Sequence, residues 1–203
     1  MTEKIYPMGR TLKIAKRYNA KQFLEFTKNK AERYELIEGI IYMMASPSVE
    51  HQDLAGNIYS EILQYLKGKP CRVFIAPLDV ILFEKSKENK KNEENEDDSQ
   101  NVFQPDIFVV CDSKKIAKNT INGAPDLIIE IVSPSNPEND YIYKLNAYID
   151  NGVREYWIVN PGTKSVTVYV IGEDFQVYNY TFENKVKVNI FEDFEIDFKE
   201  LKW

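Results

Sequence analysis

The sequence predicts an α/β fold: a mixed β-sheet flanked by helices, followed by a C-terminal antiparallel β-meander. Three observations lead there. The central segments read in the order helix, three strands, helix, strand, which requires a sheet covered on both faces. The run at 126–132 (DLIIEIV) is apolar at both parities, as expected of a central strand packed above and below. After Pro161-Gly162 the texture changes to strict alternation, with Val166, Val168 and Val170 on one face.

Taken in chain order, residues 20–29 (AKQFLEFTKN) form a short amphipathic helix. Residues 33–44 (RYELIEGIIYMM) give a strand pair, or one strand bent around Gly39. Ser46-Pro47-Ser48 supplies a helix cap with Pro at the first turn. The helix from 49 to 67 puts Leu54, Ile58, Ile62, Tyr65 and Leu66 on one face. A strand runs from Arg72 to Phe83, a second from Val102 to Cys111 and a third from Asp126 to Val132. Ser135 or Asn136, with Pro137, starts a helix that turns Tyr141, Leu145 and Tyr148 inward and stops at Asn151-Gly152. Arg154 to Val159 is the fourth strand. The meander follows across 163–197, with segments Phe175 to Phe182 and Val186 to Ile190 and turns at Gly172-Glu173-Asp174 and Glu183-Asn184.

The 203 residues suit one domain, spanning 1–203, with one sizeable core. No apolar run reaches membrane-spanning length, and the N-terminus lacks the apolar core of a signal peptide. Cys71 and Cys111 stand far apart without metal-ligand spacing, which suits reduced thiols in a cytoplasmic protein. The single histidine, His51, excludes a multi-histidine zinc site. The net charge of −6 is the wrong sign for non-specific coating of DNA. Residues 84–101 carry seven acids and four bases with no apolar residue, and read as a charged, mobile insertion between strands. They supply −3 of the −6, so the remainder neither supports nor excludes a nucleic-acid substrate.

The chemistry concentrates in QPDIFVV and APDLIIEIVSPS. Asp106 opens one apolar strand and Glu130 sits inside the next. Desolvating an unpaired carboxylate is costly, so two acids on successive buried strands suggest a shared cation. Asp126 and Glu130 share a strand face but lie about 13 Å apart, too far to bind one ion. Asp106 can come level with Glu130, and that pair forms a first coordination shell. A hard cation such as Mg²⁺ (with Mn²⁺ as substitute) accepts one or two carboxylates, waters and a backbone carbonyl. The carbonyl of Ile131 is the natural third protein ligand. Asp140, Lys144 and Tyr148 fall on one helical stripe, and Lys144 could orient a water or stabilise charge on a phosphoryl group. Structural readings stand beside these. Asp106 could cap a strand start, Glu130 could pair with Lys144 or Arg154, and Lys144 could be a surface lysine. His51 lies in the first turn of its helix, where the dipole favours neutral imidazole.

The runs YELIEGIIYMMASPSVEHQ, QPDIFVV, PDLIIEIVSPS and KLNAYIDNGVREYWIVNP, in that order, resemble the Uma-type restriction endonuclease family of the PD-(D/E)XK nuclease superfamily. The resemblance covers roughly residues 20–170. It implies a restriction endonuclease-like fold with the core order αβββαβ. It matches Asp106 to the PD aspartate, Glu130 to the second acid, Glu38 to an upstream acid and His51 to the helix-start histidine. The chain departs from the superfamily pattern two residues after Glu130, where Val132 replaces the lysine. The matching lysine is then Lys144 on the following helix.

The implied activity is Mg²⁺-dependent hydrolysis of phosphodiester bonds in DNA, with Asp106, Glu130, Lys144, Glu38 and His51 as the catalytic set. The alternative is a catalytically silent module of the same fold that binds DNA or a protein partner; the absent lysine at 132 and the acidic charge favour it. An exposed edge in the meander would allow a homodimer.

Overall fold

The computed structural model describes residues 6–7, 16–83, 99–132 and 139–202. In chain order its elements are β1 (Tyr6–Pro7), α1 (Ala20–Thr27), β2 (Tyr34–Ile37), β3 (Ile40–Met43), α2 (Val49–Tyr65), β4 (Arg72–Ile75), β5 (Asp79–Leu82), β6 (Asn101–Phe103) and β7 (Ile107–Val110). There follow β8 (Thr120–Asn122), β9 (Leu127–Ile131), α3 (Leu145–Asn151), β10 (Glu155–Asn160), β11 (Ser165–Val170), β12 (Gln176–Thr181), β13 (Lys185–Lys187) and β14 (Glu195–Asp197).

Two six-stranded sheets form rather than one. The first has the order β1-β3-β2-β6-β5-β8 and the second β12-β11-β10-β9-β7-β4. The expected strand over Arg72–Phe83 is split between them, with β4 in the second sheet and β5 in the first. The expected strand over Val102–Cys111 is split in the same sense, β6 going to the first sheet and β7 to the second. A proline lies in each break, Pro77 and Pro105. Proline cannot donate to a ladder, so a pairing edge ends there and the chain can pass to another sheet. Apolar alternation continues through both prolines, which is why the sequence reads as unbroken.

Within the second sheet the expected core order is present. Helix α2, strands β4, β7 and β9, helix α3 and strand β10 follow in sequence, and β4, β7, β9 and β10 are neighbours in that order. Strand β9 runs antiparallel to β7 and parallel to β10. Burial separates three apolar layers. One side of the second sheet (Ile107, Val109, Ile129, Trp157) packs with Leu54, Ile58 and Ile62 of α2, the helical face expected from the sequence. The other side (Phe108, Ile128, Val132, Tyr156) packs against Ile37, Val80, Leu82 and Phe103 of the first sheet and Tyr148 of α3. The outer face of the first sheet (Leu36, Ile81, Val102) is covered by Ala20 and Phe23 of α1. Each side chain thus obtains its environment from strand parity alone.

The C-terminal region is more integral than an appended meander. β11 pairs with β10 over six residues, and its Val166 and Val168 are fully buried. β13 does not pair with β12 as a meander would; it pairs with β14 in a separate hairpin. Val186, Ile196 and Phe198 of that region pack into the same layer as α2. The expected charged insertion falls largely outside the described residues, and its last three residues belong to the fold. Ser99 is buried with Oγ donating to the Leu82 carbonyl at 2.6 Å, and Asn101 opens β6. The expected helix start at Ser135 or Asn136 also lies outside the described residues. Asn139–Lys144 is a π-helical turn leading into α3.

Cys71 and Cys111 form a disulfide, contrary to the expectation of two separate thiols. They are 40 residues apart in sequence, yet they face one another across the β4–β7 pair, one step beyond Arg72↔Val110. Removing both thiols in a Cys71→Ala/Cys111→Ala variant is expected to lower stability by about 2–4 kcal/mol. Urea melts of wild type with and without reductant should show a drop of the same sign, and equal midpoints in all three samples would refute it.

Candidate active site

The break at Gln104-Pro105 sets the site. It ends β6 in one sheet and starts β7 in the other, so Asp106 emerges where the two sheets part. The register Ile107↔Ile129 puts Asp106 opposite Glu130 at the next antiparallel step. Glu130 shares its strand face with Ile128 and Val132, so its carboxylate points into the layer between the sheets. The Asp106 amide approaches Glu130 Oε2 at 3.4 Å. The two acids singled out in the sequence are therefore brought together.

Glu130 is 3% exposed, and an unpaired carboxylate there would be strongly disfavoured. Lys144 Nζ donates to Glu130 Oε1 at 3.0 Å, and Tyr148 Oη donates to the same oxygen at 2.9 Å. These donors come from successive turns, the end of the π turn and the middle of α3, so one helical stripe grips one oxygen. Lys144 is itself buried, at 4% exposed, so the reading of it as a surface lysine does not hold. Val132 packs apolar in the layer, and the ammonium that meets Glu130 comes from the following helical segment.

A third acid meets them, and it is not Glu38. Glu35 on β2 is fully buried, and its Oε1 lies 3.2 Å from Lys144 Nζ and accepts from the Gln104 amide at 3.0 Å. Its Oε2 is buried and without a hydrogen-bond partner. Glu38 is solvent-exposed in the β2–β3 turn with φ of 49°, its amide bonded to Asn101 Oδ1. The reason is parity. Positions 35 and 37 face the layer between the sheets, whereas 38 has left the strand. Alternation within YELI carried the signal, since Glu35 shares its face with Ile37 and not with Leu36.

His51 approaches from the first turn of α2. Its Nε2 lies 3.0 Å from Asp106 Oδ2, and that oxygen also accepts from the Ile131 amide at 2.8 Å. The helix start that carries the ring is fixed by Ser48, whose Oγ accepts from the His51 backbone amide. Burial by itself would lower the imidazole pKa. The hydrogen bond and the charge of Asp106, with the backbone of Ile131, outweigh it and raise the pKa above its ordinary 6.5. The expectation that the helix dipole would favour neutral imidazole is therefore overturned: the carboxylate is nearer and stronger. Asp126 belongs elsewhere, tying the Cys111 amide at 2.7 Å and Arg154 Nη1 at 3.1 Å. Arg154 is thus engaged with Asp126.

Around this core Gln104 links three side groups. It donates through Nε2 to Asp79 Oδ1 at 2.9 Å, accepts Arg33 Nε at 2.9 Å, and holds Glu35 through its amide. Burial raises the pKa of Asp79, with Glu35 adding to it, while Gln104 and Arg33 oppose the rise. The site therefore holds more acid than base: Glu35, Asp79, Asp106 and Glu130 face Lys144, Arg33 and the imidazole.

A model of the Uma2 family, described as "putative restriction endonuclease", matches residues 20–199. The chain belongs to the Uma2 family. A relative, the uncharacterised protein slr1290 of Synechocystis sp., is 21% identical over 170 residues, covering 82% of each chain. A solved structure from Anabaena variabilis, described as "a putative nuclease belonging to DUF820", is similar with a TM-score of 0.68 at 21% identity. The similarity covers 91% of this chain and 97% of that one. The architecture of this Uma2 chain is accordingly the restriction endonuclease-like fold expected from the order of its elements.

The metal reading can be weighed against the donors. Among the described residues no three histidine, cysteine or acidic side chains converge tightly enough to hold an ion by themselves. Asp106 and Glu130 are hard oxygen donors one step of register apart, the type of partial set that Mg²⁺ accepts with waters completing the shell. The orphaned Oε2 of Glu35 adds a buried oxygen in want of a cation or donor. Carboxylate oxygens of this kind are donors that Mg²⁺ accepts.

With the imidazole pKa raised on folding, the folded state holds the proton more tightly than the unfolded chain. The stabilisation is then complete below about 6.5 and is lost as pH rises through the folded pKa. His51→Gln should flatten that decline in thermal melts taken from pH 5.5 to about 8.5; a wild-type profile no steeper than the variant's would count against it.

Proposed function

We propose that this chain is a Mg²⁺-dependent endodeoxyribonuclease that hydrolyses phosphodiester bonds in DNA. The observation that carries the reading is the buried Glu130 carboxylate, facing Asp106 across one register step and gripped by Lys144 and Tyr148. Membership of a nuclease family supports it. Asp106 and Glu130, with the Ile131 carbonyl, would hold the ion, which when bound would lower the pKa of a water and polarise the scissile phosphate.

The chain's own groups do the rest. Lys144 Nζ lies at the oxygen of Glu130, and its positive charge would stabilise negative charge building on a phosphate oxygen beside that carboxylate. Tyr148 and the Asp106 amide fix the Glu130 carboxyl, which leaves it little rotational freedom. His51 and the Ile131 amide do the same for Asp106 through Oδ2. Preorganisation of this kind is what an electrostatic site requires.

A silent binding module is the second reading. What favours it is that Lys144 bridges Glu35 and Glu130, so the ammonium is already engaged. The two readings separate by titration with Mg²⁺ and by cleavage of plasmid DNA. Under the enzyme reading Mg²⁺ raises the melting temperature of wild type. Asp106→Asn and Glu130→Gln abolish both that rise and cleavage, and Lys144→Met reduces cleavage by about 100-fold or more. Cleavage at the wild-type rate in either carboxylate variant would end the assignment.

We further propose a homodimer formed through β12. This strand closes one end of the second sheet, and its sequence QVYNYT carries no charge. Val177 and Tyr178, with Phe175 just before the strand, are exposed, and an edge without charged or proline residues invites pairing with a copy of itself. Light scattering at micromolar protein should give twice the chain mass of 23.7 kDa, and Val177→Lys should return it to a monomer; a monomeric wild type would exclude this arrangement.

A further inference from the structure

Two crossovers carry the chain between the sheets beside the site. Residues 76–78 lead from β4 in the second sheet to β5 in the first, and residues 104–106 lead from β6 in the first to β7 in the second. The crossovers are tied to each other twice. On the second-sheet side the Ala76 amide donates to the Asp106 carbonyl at 3.0 Å. On the first-sheet side Gln104 Nε2 donates to Asp79 Oδ1 at 2.9 Å. Asp79 stands opposite Gln104, one step beyond the Val80↔Phe103 pair.

The chemistry of position 104 suits this place. Strand β6 lies between β2 and β5, so the side chain of Gln104 reaches a neighbour on either side. On one side is the Asp79 carboxylate, which accepts; on the other is Arg33 Nε, which donates to Gln104 Oε1 at 2.9 Å. A side-chain amide answers both at once. Glutamate would meet Arg33 but repel Asp79, and an apolar residue would leave both groups without this partner. The backbone amide of Gln104 is held as well, by Glu35 Oε1 at 3.0 Å, the oxygen that meets Lys144. Residue 104 is thus fixed at three points to the first sheet. Pro105 follows, buried and with its φ set by the ring, and Asp106 comes next.

We infer that Gln104 is a positioning residue for Asp106: its side-chain amide locks the paired crossovers and so fixes where the Asp106 carboxylate meets His51 and the proposed ion. This rests on the reading of Asp106 as an ion ligand. Gln104 makes no contact with the ion; it acts through one proline on the residue that would hold it. Groups of that kind set the orientation of a ligand and so its affinity for metal. A displacement of about 1 Å at such a point is enough to cost a site most of its activity.

The test uses the untagged full chain and two readings. The first is the ¹H–¹³C NMR signal of the His51 ring Cε1–H at one fixed pH. His51 is the single histidine, so the signal is unambiguous, and its ring bonds directly to Asp106 Oδ2. The second is Mg²⁺ affinity by calorimetry. Gln104→Met keeps the side-chain length and removes both side-chain bonds. It is expected to move the ring signal toward its position in the urea-unfolded chain and to weaken Mg²⁺ binding about tenfold or more. Asp79→Leu should act in the same direction, and the double variant should add little to either single one. Asp79→Asn, which keeps the accepting oxygen, should give wild-type readings. The Cys71→Ala/Cys111→Ala variant lowers stability away from the crossovers and should also leave both readings unchanged. Thermal melts show that each variant is folded.

A wild-type ring signal in folded Gln104→Met would overturn the positioning role, and Mg²⁺ binding by the same samples would leave the ion reading standing. An equal displacement of the ring signal in the cysteine variant would also overturn it, since general loss of stability would then account for the effect. The reverse result, a displaced ring signal in Gln104→Met with no Mg²⁺ binding by wild type, would support the hold of Gln104 on Asp106 and remove the ion.

Discussion

A carboxylate buried between two sheets has to be compensated, and the arrangement around Glu130 follows from that requirement. The carboxylate sits where burial is nearly complete. Its compensation is an ammonium and a phenol from one helix, Lys144 and Tyr148, together with a backbone amide from the neighbouring strand. The ammonium is shared with Glu35, so one buried cation serves two buried anions. Among the described residues that triad sets one cation against two anions. Glu155, one strand further on, makes the contrast clear. It is equally buried, but its oxygens are taken by Trp157 Nε1, Asn189 Nδ2 and the Ile190 amide. Neutral donors satisfy it in place, and it fastens the C-terminal segment to the sheet.

The position of Asp106 depends on a different constraint. Apolar alternation runs on through Pro77 and Pro105, yet each proline ends a ladder. The chain can therefore contribute one strand to each sheet on either side of the break. Asp106 is the first residue after the second break, which makes it both strand-aligned with Glu130 and open at the sheet junction. The same junction admits His51 from α2 and Gln104 from the end of β6. A continuous strand would have carried Asp106 in one ladder, with no junction beside it for groups from the first sheet.

Electrostatics then divides the cluster into two parts. On one side, Asp106 and His51 form a pair in which the carboxylate outweighs both burial and the helix dipole. On the other, Glu35, Glu130 and Lys144 form a buried triad. Gln104 joins the two, since its amide binds Glu35 while the next residue but one is Asp106. Movement of that short segment would shift both parts together, so the two carboxylates of the proposed ion site are coupled through the backbone as well as through space.

Much of this was legible in residue order and periodicity. The buried face of α2, the central character of β9, the helix, three strands, helix, strand sequence and the convergence of Asp106 with Glu130 all follow from strand parity and hydropathy. The first two are local rules, each written within a single element. The assignment of Lys144 to Glu130 was legible as a stripe, but its burial was not, because burial depends on a separate sheet whose strands, Glu35 among them, are remote in sequence. Three features were decided only by tertiary structure. Two sheets form instead of one because proline interrupts hydrogen bonding without interrupting hydrophobicity. Cys71 meets Cys111 because pairing register, not sequence distance, sets which residues are opposed. Glu35 rather than Glu38 reaches the lysine because a side chain's face is fixed by its strand, while its partner is supplied by a helix folded from the other half of the chain.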